Sequence, residues 1–503
     1  MILRFALCLL MISTPAVARA EWNRASSDHF IIYGDTSSQR LRDFTERVEK
    51  FDALMRVLTG QGKETSPNKL VIFLVRDVAA VQRLIGKARG NVAGFYSPSI
   101  AGSIAVVPKT GTGGTFDLDS ETVLFHEYAH HFMLQYFAAG YPAWYVEGYA
   151  EYYSTTEFRK DGSIAVGMPA MHRATSLLLL PAYPLTKMFA ADAGKMTGDE
   201  TASFYGQSWL LTHYLRFEPS RKGQLTTYLK AFASGVPAEK AASDAFGDIA
   251  KLQADLKRYL QASKMTYQQL RGVVLPVPTI DITSVNPAEA ALMPLYMRFM
   301  NGAQGQAEVD SFIAAARIAA ARFPNEPRAL ELLAEGELDA EQFDAATKAN
   351  DALLAQRPTD ARALLRRARI ATAIMRDTDK YLGGWKAIRS LIVKANRASP
   401  DDPFPLSEYF TSFPSEGIQP TPIATDGLRR ALELAPQVPN LRFALAHWLM
   451  KTNKRDQARN ILAPLLNEPH SSGMREAARA MLDPSGPAIL PVKESEDKNG
   501  KSK

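Results

Sequence analysis

Three runs early in the chain carry apolar residues at strand spacing: residues 29–33 (HFIIY), 70–75 (LVIFLV) and 103–107 (SIAVV). Between the first two, residues 38–58 repeat apolar positions every three or four residues, which predicts an amphipathic helix. Near residue 120 the pattern changes. Asp119 or Ser120 is a good cap and Glu121 suits a first turn, while Val123, Leu124, Phe125, Tyr128, Phe132 and Leu134 leave little polar surface. That combination predicts a mostly buried helix. Pro142 then opens a second helix running through Tyr153, and helical patterning continues to about Leu270, including residues 204–215 and 249–262.

Periodicity breaks at residues 272–287, where GVVLPVP leads to Asn286-Pro287, and this stretch is read as a boundary. Beyond it prolines recur at Pro324, Pro358, Pro400, Pro436 and Pro469, at intervals of 34, 42, 36 and 33 residues, each after an apolar helical run such as residues 352–355. The spacing resembles a tetratricopeptide-like array of helix pairs over residues 288–482, with an irregular all-helical domain as the alternative. Pro405 and the prolines from 414 to 422 are expected to break the first helix pair of the third unit. Stacked pairs leave a concave surface suited to peptides or partner proteins. The chain thus divides into residues 1–20, 21–275, a linker at 276–287, the array at 288–484, and a charged tail at 485–503 expected to be disordered.

Composition adds the compartment. Arg4, the apolar run 5–12 and Ala18-Arg19-Ala20 form a secretory signal peptide, with the mature chain starting at Glu21 or after the alternative site at residues 16–18. The single cysteine, Cys8, lies inside that leader, so the mature chain has no disulfide and no thiol chemistry, and a bacterial periplasm or secretion is the expected destination. Leu7 before Cys8 is too large for lipoprotein processing, so no lipid anchor is expected. Charged residues at 22% and hydrophobic ones at 46% of 503 residues are ordinary globular values with room for several cores. The net charge of +6 comes from 59 basic and 53 acidic residues with no basic stripe, which argues against a nucleic-acid partner. Leu177 to Leu180 is far too short to span a membrane and reads as a core segment or a cleft lining.

The chemistry is concentrated in His126-Glu127-Tyr128-Ala129-His130. On a helix, histidines four apart share a face and can grip one metal ion, while Glu127 reaches the water bound to it. The competing reading is a helix with ordinary core or solvated histidines. Two further features favour the ion. Buried imidazoles and a carboxylate need a shared partner, which a divalent cation supplies. Glu147 and Glu151, four apart on the following helix, can supply one ligand and one support, provided the first helix stops near Tyr136 and lets the chain return. A ligating histidine also needs its other ring nitrogen held. His131 is about 100° away from the ligand face and takes no such role. Residues 111–114 (GTGG) lack the lysine and helix of a phosphate loop, and no G-x-S-x-G elbow occurs.

H-E-x-x-H followed by W-Y-V-E-G-Y-A-E-Y resembles the gluzincin arrangement of thermolysin and aminopeptidase N-type enzymes, and more specifically the peptidase MA-like family. The resemblance implies an α+β zincin-like domain, a Zn²⁺ ion on His126, His130 and Glu147, and Glu151 holding His126 from behind. It also implies Glu127 as general base for a metal-activated water attacking a peptide carbonyl. Residues 204–215 resemble the helix after the active site in aminopeptidase N-type enzymes, which gives Tyr205 the role of oxyanion donor; His213, two turns on, is the alternative. In zincins the strand before the metal helix is a sheet edge that can pair with substrate, a role expected here of residues 104–107. The G-x-M-E-N exopeptidase signature is missing, so endopeptidase action is favoured. The expectation is a zinc-dependent envelope peptidase whose helical repeats contact protein. Two alternatives stay open: a repeat-based scaffold or receptor with an inactive metal-binding domain, and a metal hydrolase of a non-protein envelope amide.

Overall fold

The computed structural model describes residues 22–62, 66–85, 93–109, 119–190, 196–262, 264–302, 305–378, 382–469 and 471–483. The predicted leader, the tail and the glycine-rich residues 111–114 lie outside the described residues.

The first unit is a six-stranded sheet with helices on both faces. Its elements are β1 (Trp22–Ser26), β2 (Phe30–Asp35), α1 (Ser38–Thr59), β3 (Leu70–Val75), α2 (Val78–Ile85), β4 (Phe95–Ser97) and β5 (Ile104–Pro108). Strand β9 (Asp281–Ser284) completes a sheet of order β4-β5-β3-β2-β1-β9, in which β2, β3 and β5 are parallel and the β1, β4 and β9 pairings are antiparallel. Every residue of β3 is buried, as a strand covered on both faces requires. Leu70, Ile72 and Leu74 join the core under α1 and the helix of residues 120–137, whereas Val71, Phe73 and Val75 join a second core under α2 and the first helices of the array.

Two expectations change here. Residues 104–107 do not form an edge: β5 pairs with β3 on one side and with β4 on the other, Phe95 facing Val106 and Ser97 facing Ile104. Among the described residues the edge on this side of the sheet is β4, whose three residues are too short to stand out as a periodic run. Residues 281–284, assigned to a linker, pair with β1 from Ser26–Asp281 to Asn23–Ser284. The prolines that break helical periodicity there precede a strand, not a free connection.

The site region follows as α3 (Ser120–Phe137) and α4 (Ala143–Ser154), the short β6 (Glu157–Phe158) and β7 (Ile164–Val166), then α5 (Ala174–Leu178), α6 (Leu185–Phe189) and α7 (Gly198–Phe217). Asp119 caps α3 by accepting from the Thr122 amide at 2.7 Å, and the helix stops one residue past Tyr136. Pro142 is the residue before α4, not its first turn. A capping box between Thr197 and Glu200 starts α7. Helices α8 (Gln224–Ala233), α9 (Ala238–Phe246) and α10 (Ile249–Leu260) pack behind it, and β8 (Gln268–Leu270) joins β7, so helix does not persist to Leu270.

The remainder is a helical repeat array: α11 (Pro287–Asn301), α12 (Gln306–Arg322), α13 (Pro327–Asp339), α14 (Phe343–Gln356), α15 (Ala361–Thr378), α16 (Gly384–Ala398), α17 (Pro403–Glu416), α18 (Pro422–Leu434), α19 (Pro439–Lys451), α20 (Arg455–Leu462) and α21 (Ser472–Leu482). Phe323, Arg357, Ser399 and Ala435, each before a recurring proline, all end a helix with φ between −131° and −147°. A following proline excludes the helical conformation, so each helix stops at the same point of the repeat. The third unit is not broken: Pro403 and Pro405 lie in the first turn of α17, where no amide proton is needed, and Pro414 lies in its last turn. Among the described residues no helix is long and apolar enough to cross a membrane.

Candidate metal centre

Helix α3 presents His126 and His130 on one face, one turn apart. Their Nε2 atoms lie 3.1 Å from each other, and Glu147 Oε2 of α4 is 3.6 Å from both. The point equidistant from three atoms with separations of 3.1, 3.6 and 3.6 Å is about 2.0 Å from each, against roughly 2.0–2.2 Å for zinc bonds to imidazole and carboxylate. Glu147 is 0% exposed, a burial a carboxylate tolerates only with compensating charge. The donor set and its dimensions therefore fit a zinc-sized divalent cation.

What brings α4 to this place is its own packing. Ten of its twelve residues are buried: Trp144 joins the core beneath α7, whereas Tyr149, Tyr152 and Tyr153 join the core under the sheet. Gly148 is the contact point with α7, where an added Cβ would lie 3.0 Å from the Ser208 carbonyl carbon and nearer still to its oxygen and to Thr212 Oγ1. The small residues Gly148 and Ser208 let the two backbones approach, and that approach carries Tyr205 to the site.

Glu151 is also 0% exposed. Its Oε1 is 3.3 Å from His126 Nδ1, the ring nitrogen turned away from His130, so a proton on Nδ1 leaves Nε2 free to ligate. The same carboxylate is held by two residues that sequence reasoning missed. His172 Nε2 lies 2.8 Å from Oε2, and Arg173 donates from Nε at 3.1 Å and from Nη2 to Oε1. Burial alone pushes the Glu151 carboxyl up, but the Arg173 charge and hydrogen bonds from His126 and His172 overcome it and hold the group well below the usual carboxylate range. Burial likewise opposes charge on His126, yet its bond to Glu151 and the charges of Glu151, Glu127 and Glu147 raise its pKa. His172 and Arg173 sit in a one-turn 3₁₀ helix (Met171–Arg173) before α5 and carry no periodic or motif signal, so only their approach to Glu151 reveals them.

Tyr205 lies in the second turn of α7. Its ring stacks near His126 with centroids 6.2 Å apart, and the Arg173 guanidinium carbon is 5.0 Å from its centroid. Burial first, and then the Glu147 charge, raise the phenol well above its ordinary value, so it remains a neutral donor. Glu127 is half-buried, and its charge acts on His126, Tyr205 and the edge-strand residue Tyr96. His213 is elsewhere: it is fully buried, with Nε2 3.0 Å from the Gly167 carbonyl and Nδ1 2.9 Å from the Tyr259 hydroxyl, and burial lowers it to about 4. His131 points away from the ligand face and meets the Tyr96 hydroxyl at 3.0 Å. In the segment 177–180, Leu177 packs against Gly206, whereas Leu178 and Leu179 are exposed.

The described residues hold one other histidine and carboxylate cluster, His29, Glu49 and Asp52. His29 Nδ1 is 2.7 Å from Glu49 Oε2, and Asp52 accepts from Arg56 Nε at 2.7 Å and from the Tyr128 hydroxyl at 2.6 Å. The Arg56 guanidinium already supplies the positive charge that a metal would bring.

No protein-family profile matches the chain, and no curated protein matches it. Among solved structures it is similar to a thermophilic TPR protein of Thermus thermophilus, at 19% identity and a TM-score of 0.34, covering 39% of this chain and 98% of that one. At that score the likeness adds nothing to the helix pairing already described.

Proposed function

We propose that the chain is a zinc-dependent peptidase of the gluzincin type, acting in the bacterial envelope on peptide bonds within proteins or peptides. The observation that carries this reading is the triangle formed by His126 Nε2, His130 Nε2 and Glu147 Oε2, dimensioned for one zinc ion and drawn from two helices. These residues would hold a zinc ion, which would supply Lewis acidity and would lower the pKa of a water to about 7. Glu127, next to His126 on the half-buried rim, takes the proton released as the nucleophile forms and returns it to the leaving amine. Tyr205 keeps its proton and donates to the oxygen on which negative charge develops. Glu151, fixed by His172 and Arg173, keeps the His126 ring in its ligating orientation. Among the described residues strand β4 is the sheet edge next to α3, since the Tyr96 hydroxyl lies 3.0 Å from Nδ1 of His131, and an extended peptide adds there through main-chain hydrogen bonds. The leader read from the first twenty residues supports export, and the helical array supports a protein-contact role.

The test is metal content and peptide cleavage of the purified chain, set against Glu127→Gln. The variant is expected to bind zinc like the unaltered protein and to lose about 10²–10⁴-fold in cleavage. Equal cleavage of a broad peptide library by both proteins refutes the mechanism. Zinc binding with no cleavage of peptides or of peptidoglycan by either protein favours an inactive metal-binding scaffold instead.

A further inference from the structure

The repeat array does not extend away from the α/β unit as a separate arm. Its distal helices return to that unit at the β4–β5 turn, at the loop between α3 and α4, and just before β3. The first is the turn joining β4 to β5, residues 98–103. Ile100 packs with the apolar core of α17 to α21, and its carbonyl accepts from Arg362 Nη2 of α15 at 3.5 Å. Arg362 is itself anchored within the array by Asp402 at 2.9 Å. Gln437, between α18 and α19, donates from Nε2 to Ser103 Oγ at 3.3 Å in a buried contact. Ser103 closes the β4–β5 turn immediately before Ile104, and on β4 the Tyr96 hydroxyl lies 3.0 Å from Nδ1 of His131, next to the candidate ligand His130. The second place is the loop between α3 and α4. Gly140 lies against Ala463, so closely that a Cβ would stand 3.2 Å from the Ala463 carbonyl oxygen and 3.3 Å from its Cβ. Asn68, before β3, adds hydrogen bonds of 3.2 Å to the Asp401 and Leu434 carbonyls.

We infer that the distal repeats are a positioning element of the site: Gln437, acting through Ser103 of the β4–β5 turn, fixes strand β4, which Tyr96 ties to α3 through His131, and Ala463 buttresses the turn between α3 and α4. This rests on the peptidase reading only in taking the positioned edge as the place where substrate binds. The physical reason is β4's shortness. Among the described residues these three residues pair on one side alone, which gives a weak ladder, and a strand so held opens locally unless something outside the sheet restrains it. Gln437 and Arg362 are then positioning residues and touch no reacting atom. A ligand that bends the array moves β4 through these contacts, so partner binding on the repeats and substrate binding at the edge are coupled.

The experiment uses the full chain carrying Gln437→Ala, with Gly140→Ala as a second variant at the other contact. Amide hydrogen exchange is followed across residues 95–107 and 138–142, alongside zinc affinity and peptide kinetics. For Gln437→Ala, exchange in residues 95–107 is expected to rise about tenfold, a local opening with the global unfolding midpoint unchanged. KM should rise by on the order of fivefold with kcat and zinc affinity within about twofold, the mark of lost binding rather than lost chemistry. Gln437→Glu, which can still reach Ser103 as an acceptor, should recover most of the KM. Gly140→Ala should raise exchange in residues 138–142 and weaken zinc. Unchanged exchange at the β4–β5 turn in Gln437→Ala overturns the proposal, as does raised exchange with unaltered KM. If the parent protein cleaves no peptide, the peptidase reading fails by itself, and the exchange data still decide whether the repeats restrain the edge strand.

Discussion

Replacing Gly148 by alanine tests whether the approach of α4 to α7 sets the candidate metal site. A methyl group at position 148 would stand 3.0 Å from the Ser208 carbonyl carbon and nearer to the carbonyl oxygen and Thr212 Oγ1. Unstrained carbon–carbon and carbon–oxygen contacts need about 3.5 Å, so the helices must part by roughly 1 Å at this level. Neither obstacle can swing aside easily: one is backbone within a buried helix, and the other is a β-branched side chain, 1% exposed. Overpacking of this kind costs about 1–3 kcal/mol. The cost to the site is larger in proportion, because metal bond lengths tolerate about 0.2 Å and Glu147 is the adjoining residue. The expected result is a metal-free chain destabilised by about 1–3 kcal/mol in urea unfolding. Zinc affinity, measured by competition with a chromophoric chelator, should fall by about tenfold or more. Parent-like stability and parent-like zinc affinity together would refute the reasoning. Lost stability with intact affinity would show that Glu147 is held by something other than the α4–α7 contact.

Further outcomes follow from the same geometry. Tyr205→Phe should lower kcat by about 10²–10³-fold with little change in KM, as expected for a donor that acts only on developing charge; an unaltered kcat removes Tyr205 from the mechanism. Glu151→Gln, which leaves His172 and Arg173 facing a neutral amide, should weaken zinc by about 10–100-fold, and a titration indistinguishable from the parent would deny Glu151 its orienting role. The His29 imidazole is desolvated, but its bond to Glu49 and the charge of Asp52 raise its pKa in the folded state. Its contribution to stability is therefore complete below the ordinary histidine value of about 6.5 and is lost as pH rises through the elevated folded value. Unfolding measured from pH 6 to 9 should show that decline, and His29→Gln should abolish it; an identical pH profile in both proteins contradicts the assignment.

The amount of this protein legible in its sequence differs from element to element. The β3 strand, α1, the cap and stop of α3, and the helix-pair rhythm of the array follow from local periodicity, and each lies within a residue or two of expectation. The local spacing of His126 with His130 and of Glu147 with Glu151 likewise follows from helix geometry. Strand β4 and the β6–β8 sheet were not legible, because strands of two or three residues contain no measurable period. The role of residues 281–284 was misread for a related reason: prolines mark where a helix cannot go, and say nothing of the strand that pairs with β1. Pro405 and Pro414 show the converse error, since a proline breaks a helix only where its missing amide proton is needed, and the first turn of α17 does not need one.

By itself, then, the sequence determined which side chains share a helix face, where most helices begin and end, and which residue types are available for metal chemistry. These depend on neighbours within about one turn of backbone. Only the tertiary structure decided that Glu147 Oε2 stands 3.6 Å from both imidazoles, that His172 and Arg173 hold Glu151, and that Gln437 reaches Ser103 across the chain. Those contacts join segments from 17 to 334 residues apart, and their distances are set by how the side chains between helices interlock, a property no local window of residues contains.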